Sequence, residues 1–121
     1  MDERVNIEEY SKKLFDNSVT FEAWVDNILI GLAAAYFNDA ENHSGYITNV
    51  SITKDYMESG IASELMNMCI RYAKQYKVKE IKLEVYKDNS PAIHLYKIFG
   101  FMDFNNKDDF MLMKLEIANY D

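Results

Sequence analysis

The stretch YMESGIASELM, residues 56–66, places one glycine directly before an apolar helical repeat. The start of a helix leaves about four backbone N–H groups without intrahelical partners and carries partial positive charge. A phosphate or diphosphate binds such a helix start when a glycine lets the backbone approach it closely. Gly60 is therefore a candidate for an anion-binding turn. The alternative is an ordinary helix start capped by Ser59, and a single glycine taken alone favours that alternative.

Two later side chains have the chemistry of a proton donor and a proton acceptor. Tyr96 carries a phenol with an ordinary pKa of about 10, and Glu84 carries a carboxylate. Tyr96 also fits a core stripe at helical spacing with Leu95 and Phe99, and without further context this is the simpler interpretation. Glu84 alternates with apolar neighbours along a predicted strand, so it either lines a cleft or is a solvated strand residue.

The elements that must position these residues follow the order αββ, then βαβα, then ββ. Alternating or β-branched segments predict strands at residues 18–25, 28–37, 46–52, 79–86, 101–104 and 110–117. Apolar residues at a spacing of three and four predict helices at residues 7–17, 60–76 and 90–100. The strand–helix–strand unit implies a locally parallel pair in a mixed sheet, so the predicted fold class is α/β (α+β).

Local signals refine these elements. Asp26-Asn27 predicts a two-residue hairpin turn, and Gly31 inside the next strand indicates a bulge or a close approach of the backbone. Ser90 is a candidate N-cap for the last helix, with Pro91 in its first turn and Gly100 as its C-terminal stop.

Composition excludes several classes of protein. A chain of 121 residues predicts one domain, residues 1–121, and no apolar run reaches the roughly 20 residues of a membrane helix. The net charge of −7 disfavours nonspecific nucleic-acid binding.

An acidic, polar N-terminus without a secretory pattern and a single cysteine, Cys69, predict a cytoplasmic protein. Two histidines and one cysteine, far apart, give no metal-ligand pattern, so no metal is expected. Cys69 lies on the apolar stripe and is interpreted as a core residue.

Two longer motifs resemble those of the GNAT superfamily of acetyl-CoA-dependent N-acetyltransferases. The register Met57-Glu58-Ser59-Gly60-Ile61-Ala62 resembles the family's turn of Gln or Arg, two residues, Gly, one residue, then Gly or Ala. A second signature of seven positions is met by Val85, Asn89, Ala92, Leu95, Tyr96, Gly100 and Phe101. The resemblance covers about residues 19 to 117, and its second half is similar to ribosomal-protein alanine N-acetyltransferases.

The resemblance implies a mixed sheet that splays open around coenzyme A and is flanked by helices. It implies that the diphosphate is held by the backbone N–H groups from Glu58 to Ala62, a set that includes Ser59, Gly60 and Ile61. The pantetheine arm would pair with Val50, Ser51 and Ile52, and the Val50 N–H would polarise the acetyl carbonyl. Asn89 would bind the coenzyme or order its loop, and capping a helix is the alternative.

Departures from the family pattern fall at the diphosphate turn. Met57 stands where the family has Gln or Arg, and Glu58 stands where a small or basic residue is usual. Backbone donors survive both changes, because any residue supplies an N–H. Lys54, Lys87 and Lys97 are candidate compensating cations, and the alternative is that they are solvated surface lysines.

The resemblance also implies roles for the two proton-transfer candidates. Tyr96 matches the family's tyrosine that protonates the departing thiolate, and Glu84 matches the glutamate that serves as base, through water. The expected reaction is acetyl transfer from acetyl-CoA to a primary amine. The rival expectation is a noncatalytic acyl-CoA-binding or interaction protein, which Met57 and Glu58 favour.

The N-terminal segment is short for the family, because only about seventeen residues precede the first predicted strand. Three expectations follow: an open acceptor side, a homodimer in which a second subunit completes that side, or a shortened chain. The identity of the amine acceptor does not follow from the sequence.

Overall fold

The computed structural model describes residues 19–39 and 43–117. Those residues form one six-stranded sheet, two helices and a short 3₁₀ turn at Lys54–Tyr56. In chain order the elements are β1 (Val19–Val25), β2 (Ile28–Asp39), β3 (Ser44–Ile52), α1 (Ile61–Gln75), β4 (Glu80–Tyr86), α2 (Ser90–Ile98), β5 (Met102–Lys107) and β6 (Phe110–Glu116). The helix predicted at residues 7–17 lies outside the described residues.

The sheet is mixed, as the strand–helix–strand pattern predicted. Its strand order is β1-β2-β3-β4-β6-β5, and β3 and β4 are the parallel pair that α1 connects. The other neighbouring strands pair antiparallel. The predicted fold class is therefore confirmed, and the parallel pair lies in the middle of the sheet.

Helix α1 packs its apolar stripe on the sheet, which is why the sequence repeats apolar residues every three and four positions. Its buried residues are Leu65, Met66, Cys69 and Ala73. Strand β4 presents Ile81, Leu83 and Val85 to the same core, and Glu84 on its opposite face is exposed. Burying each large apolar side chain contributes roughly 1.5–3 kcal/mol to the free energy of folding. The packing of this layer therefore fixes the position of α1 relative to β4.

Gly31 combines both features that its position in a strand predicted. The pairing of β1 and β2 shifts by one residue between Ala23 and Trp24, directly beside Gly31. A Cβ atom on Gly31 would lie 2.9 Å from Cγ2 of Ile61 and 3.2 Å from Cδ1 of Leu65. The missing side chain therefore lets the start of α1 approach the sheet.

The two central strands diverge halfway along their length. The parallel pairing runs from Ser44↔Glu80 to Ile47↔Leu83 and ends there. The next residue, Thr48, is an extra residue in β3 relative to β2, and its hydroxyl donates to the Ala34 carbonyl at 3.2 Å. A bulge bends its strand and increases the local twist. The sheet is thus splayed between β3 and β4 beyond Ile47, as the resemblance implied.

The turn and cap signals were mostly right. Asp26 and Asn27 both have positive φ, and Gly100 has a φ of 100° after α2. Of the two residues that the sequence offered as caps of α2, Ser90 and Asn89, it is Asn89 that takes the N-cap position. The Asn89 side chain accepts a hydrogen bond from the Ala92 N–H at 3.3 Å, which a residue one position later could not do in the same way.

Candidate functional site

Helix α1 begins with unshielded backbone donors. Its N-cap is Gly60, in the left-handed region with φ 86° and ψ 5°, and no side chain caps the helix. The Ser59 hydroxyl instead donates to the Tyr56 carbonyl at 2.6 Å, so the alternative of a Ser59 cap is wrong. The Ser59 N–H donates to the same carbonyl at 3.2 Å. Of the amides predicted to bind a diphosphate, that of Ser59 is therefore already used.

A groove of about 590 Å³ lies beside this helix start. Its lining includes the predicted residues Val50, Ile52, Met57, Glu58, Gly60, Ala62 and Asn89, together with Tyr96. The predicted residues Ser51, Ser59 and Ile61 do not belong to the lining. The Ser51 hydroxyl donates to Oδ1 of Asn49 at 3.0 Å, and Ile61 packs against the core. Residues that the prediction did not include also line the groove: Ser63, Pro91, Ala92, His94, Leu95 and Ile98.

The free edge of β3 presents backbone donors to the gap between the strands. The Thr53 N–H donates to the Ile30 carbonyl of the β2 side at 2.8 Å. Successive residues of an antiparallel strand point their N–H groups alternately to the two sides. The register is regular from Ile52 back to Val50. The N–H groups of Val50 and Ile52 therefore point away from β2, toward the side on which β4 has diverged.

The groove has little positive charge of its own. Among the described residues, its lining contains the carboxylate of Glu58 and no lysine or arginine. Met57 is 64% exposed. Lys87 and Lys97 are exposed and lie outside the lining. Anion binding here would thus rest on backbone amides and on the helix dipole.

A second cavity, of about 410 Å³, occupies the gap between β3 and β4. Its lining consists of Tyr46, Ile47, Thr48, Asn49, Val50, Leu83, Glu84, Val85, Tyr86, Asn89, Tyr96 and Phe110. Val50, Asn89 and Tyr96 line both spaces. The groove and the cavity therefore meet at these three residues, which is where two substrates would have to meet to react.

Tyr96 belongs to the core and also lines both the groove and the cavity. The residue is 8% exposed, and its ring contacts that of Phe101 with the centroids 5.7 Å apart. No buried side-chain oxygen or nitrogen among the described residues lacks a hydrogen-bond partner. No described residue bonds the Tyr96 hydroxyl, so this oxygen is accessible from the spaces that Tyr96 lines. Burial raises the pKa of Tyr96, which keeps the phenol protonated and available as a donor. The two sequence interpretations, core and proton donor, are thus compatible.

Glu84 has a partner that the sequence did not reveal. The Tyr46 hydroxyl donates to Oε2 of Glu84 at 3.2 Å, across the two parallel strands. Burial raises the pKa of Tyr46, and the charge of Glu84 and the hydrogen bond to it raise this pKa further. The pair keeps the phenol protonated and aims the carboxylate into the cavity. Tyr46 and Glu84 are 38 residues apart, so only the register of the parallel pair could have predicted the contact.

The remaining candidates are assigned by their surroundings. Asn89 caps α2 through its side-chain oxygen and also lines both spaces, so capping does not remove it from the site. Cys69 is fully buried, and burial raises its pKa to about 12, so it is a core residue and not a nucleophile.

In the described part of the chain, no group of three or more His, Cys, Asp and Glu side chains could hold a metal ion. No helix within residues 19–39 and 43–117 has the length and apolar character needed to cross a bilayer.

Comparison with known proteins places this architecture in a family. The sequence model of the acetyltransferase (GNAT) family matches residues 2–101. The chain therefore belongs to the GNAT family of acetyltransferases.

Two curated relatives show the range within that family. A probable spermine N(1)-acetyltransferase of Bacillus subtilis subsp. natto is 34% identical over 83 residues, which is 68% of this chain and 54% of the relative. An N-alpha-acetyltransferase of Sulfurisphaera tokodaii is 35% identical over 60 residues, which is 49% of this chain and 36% of the relative. The chain thus spans about half or less of the length of these relatives.

Solved structures share the fold at low sequence identity. The ribosomal-protein-S18-alanine N-acetyltransferase from Escherichia coli superposes with a TM-score of 0.78 at 18% identity, covering 94% of this chain and 78% of that one. The PaiA N-acetyltransferase from Thermoplasma acidophilum, in complex with coenzyme A, superposes with a TM-score of 0.77 at 18% identity, covering 94% of this chain and 70% of that one. The splayed mixed sheet is therefore the fold of these acetyltransferases.

Proposed function

We propose that this chain transfers an acetyl group from acetyl-CoA to a primary amine. The observation that carries the proposal is the meeting of the groove and the cavity at Val50, Asn89 and Tyr96, where the central strands part. Family membership and the relatives' names support the reaction class. The reaction balances as R-NH₃⁺ plus acetyl-CoA giving the N-acetyl amide, free coenzyme A thiol and one proton.

The groove fits the coenzyme at the start of α1. A Cβ atom placed on Gly60 would meet no heavy atom within 4 Å, so open space lies directly before the helix. In our proposal the N–H groups of Gly60, Ile61 and Ala62 hold the diphosphate in that space. The outward N–H groups of Val50 and Ile52 pair with the pantetheine arm as a neighbouring strand would. Met57 and Ser59 then contribute little beyond shaping the turn, and Ser51 lies in β3 with its hydroxyl bonded to Asn49.

Three groups of the chain serve the chemistry in this proposal. The Val50 N–H stabilises the negative charge that develops on the acetyl oxygen, an effect that mutagenesis of such donors puts at roughly 3–4 kcal/mol. Glu84 accepts a proton from the ammonium, directly or through water, so that the nitrogen lone pair is free to attack. Tyr96 donates its phenolic proton to the departing thiolate. Burial raises the pKa of Tyr96 and so keeps the phenol protonated before the step, while its transfer of a proton to a thiolate needs electrostatic help from the site.

A noncatalytic acyl-CoA-binding protein is the second candidate. The exposed Met57 and the Glu58 carboxylate at the groove favour it, because both depart from a tight coenzyme site. Glu84 and Tyr96, both facing the cavity, favour the enzyme. A cytoplasmic location, no binding of nucleic acid and a homodimer that completes the acceptor side stay predictions.

One assay separates the two candidates. The protein is incubated with acetyl-CoA and a panel of amines, and release of free thiol is followed for wild type, Tyr96→Phe and the control Tyr72→Phe. Tyr72 loses the same hydroxyl on α1, outside the lining of both spaces. We expect release by wild type and by Tyr72→Phe, and a fall of about 10² in kcat for Tyr96→Phe.

One result would argue against the enzyme, and another against the role of Tyr96. Stabilisation by coenzyme A without thiol release across the panel would support the binding protein. A ligand at about 100 times its dissociation constant adds about 2.7 kcal/mol to the free energy of unfolding, so such binding is measurable by melting. Equal rates for Tyr96→Phe and Tyr72→Phe would remove Tyr96 from the mechanism.

A further inference from the structure

The groove beside the start of α1 contains a side chain that becomes a cation at mildly acidic pH. We propose, on the basis of the proposed function, that the His94 imidazolium binds the diphosphate of the coenzyme. Coenzyme binding then takes up a proton, and the affinity rises as the pH falls from about 8 to about 6. His94 would thereby be a coenzyme-binding residue that neither sequence motif marked.

His94 lines the same groove as the candidate diphosphate turn. The groove is bounded on one side by α2, where His94 and Ile98 are one helical turn apart. On the other side it is bounded by the turn before α1, which contributes Met57, Glu58 and Gly60. The volume of the groove is about 590 Å³. A charge on one side of a space of this size lies within roughly one Debye length, about 8 Å at physiological salt, of a ligand that fills it.

The charge of the groove depends on His94 because the other titratable groups of the lining are not cations. Among the described residues that line it, Glu58 contributes a carboxylate and Tyr96 a phenol, and no lysine or arginine takes part. Burial raises the pKa of Tyr96, so its phenol stays neutral at mildly acidic and neutral pH. Val50 and Ile52 of β3 are uncharged, and Lys97 of α2 lies outside the lining. Protonation of His94 therefore cancels the negative charge of Glu58.

The imidazole of His94 is available to a ligand. His94 is exposed, and the described part of the chain gives its side chain no hydrogen bond, ion pair or ring contact. Its charge is thus not already used by Glu58. Histidine is the residue type whose charge changes between about pH 5 and 8. A bound diphosphate favours the charged imidazolium, so the complex holds more protons than the free protein, and the affinity must rise as the pH falls.

The test measures the affinity of the full chain for 3′-dephospho-coenzyme A by calorimetry at about pH 6 and about pH 8, in about 0.15 M salt. This ligand keeps a constant diphosphate charge, whereas the 3′-phosphate of coenzyme A is a monoester that gains its second charge near about pH 6. Buffers of different ionisation enthalpy give the number of protons taken up.

The variants separate charge from shape. His94→Gln is neutral at both pH values, and His94→Lys is a cation at both. His43→Asn is the matched control, because His43 is the other histidine of the chain, is exposed and lines neither the groove nor the cavity. Asparagine tolerates the φ of 52° at that position.

We expect wild type and His43→Asn to bind about three- to tenfold more tightly at about pH 6 than at about pH 8, with uptake of about 0.5 proton near pH 7. The affinity of His94→Gln should differ less than about twofold between the two pH values. His94→Lys should bind at about pH 8 at least as tightly as wild type binds at about pH 6. Glutamine and lysine are good helix formers, so the exposed position tolerates both, and melting curves check folding.

Three results overturn the role of His94 alone: equal pH dependence in wild type and His94→Gln, loss of the pH dependence in His43→Asn, or no gain for His94→Lys over His94→Gln at about pH 8. The proposed function survives each of them, because the backbone amides at the start of α1 would still bind the coenzyme. No binding by any of the proteins up to about 1 mM would overturn both the role of His94 and the coenzyme site. The readout does not depend on turnover, so thiol release tests the transferase separately.

Discussion

Replacing Gly60 with alanine separates the backbone cost of the helix start from its role in binding. Gly60 has a φ of 86°, and a Cβ atom there would meet no heavy atom within 4 Å. The cost is therefore conformational and not steric, at about 1–2 kcal/mol for a left-handed L-residue. The reduced entropy of the unfolded chain offsets about 0.4–1 kcal/mol of it. We expect a net loss of about 1 kcal/mol, which lowers Tm by about 3–5 °C in a chain of this size.

The binding effect is larger, because the new methyl group enters the space that the diphosphate would occupy. We expect coenzyme A to bind Gly60→Ala at least about tenfold more weakly, as measured by calorimetry. Gly100→Ala is the matched control. Its φ is 100°, its Cβ would lie 3.2 Å from Cδ1 of Leu115, and it lines neither space. Gly100→Ala is thus expected to lose similar or greater stability with unchanged affinity. Equal affinity of the two variants for coenzyme A would refute the assignment of the diphosphate to this turn.

Three further predictions test the groove, the packing and the buried thiol. Glu58→Gln should bind coenzyme A about two- to fivefold more tightly than wild type at low salt, and the gain should shrink at high salt because an exposed charge is screened. A gain over wild type that is absent, or that is the same at both salt concentrations, would contradict this prediction. Gly31→Ala should lower the free energy of unfolding in urea by about 1–3 kcal/mol, because its Cβ would lie 2.9 Å from Cγ2 of Ile61. A free energy of unfolding equal to that of wild type would show that α1 can shift to make room for the methyl group, and would contradict the prediction. Burial raises the pKa of Cys69 to about 12, so above about pH 9 the unfolded thiol ionises while the folded thiol stays protonated. Stability should fall by up to about 1.4 kcal/mol per pH unit between about pH 9 and 12, relative to Cys69→Ala; parallel pH profiles would contradict this.

Elements governed by local periodicity could be predicted from the sequence. The alternation in β4 and the three-and-four spacing in α1 reflect burial on one side, which is visible without the partner. The Asp26-Asn27 turn and the close approach at Gly31 follow from backbone stereochemistry. The N-cap of α2 stayed open between Asn89 and Ser90 because both are good capping residues, and the chain geometry before the helix decides between them.

Features that depend on pairing between distant strands could not be predicted. The extra residue Thr48 is an ordinary β-branched residue in sequence, and its role in ending the parallel pair depends on β2 and β4. Tyr46 likewise reads as a strand aromatic until the register brings it to Glu84. The Tyr86–Phe110 stack joins two strands whose pairing no local pattern specifies. The coenzyme side of the site was therefore predicted better than the acceptor side.

Titration of ¹⁵N-labelled protein with coenzyme A tests most directly where the diphosphate binds. We predict the largest amide shifts at Gly60, Ile61 and Ala62, with further shifts at Val50 and Ile52 and almost none in the turn between β5 and β6. No shift at about 100 times the expected dissociation constant, or shifts concentrated away from the start of α1, would contradict the account.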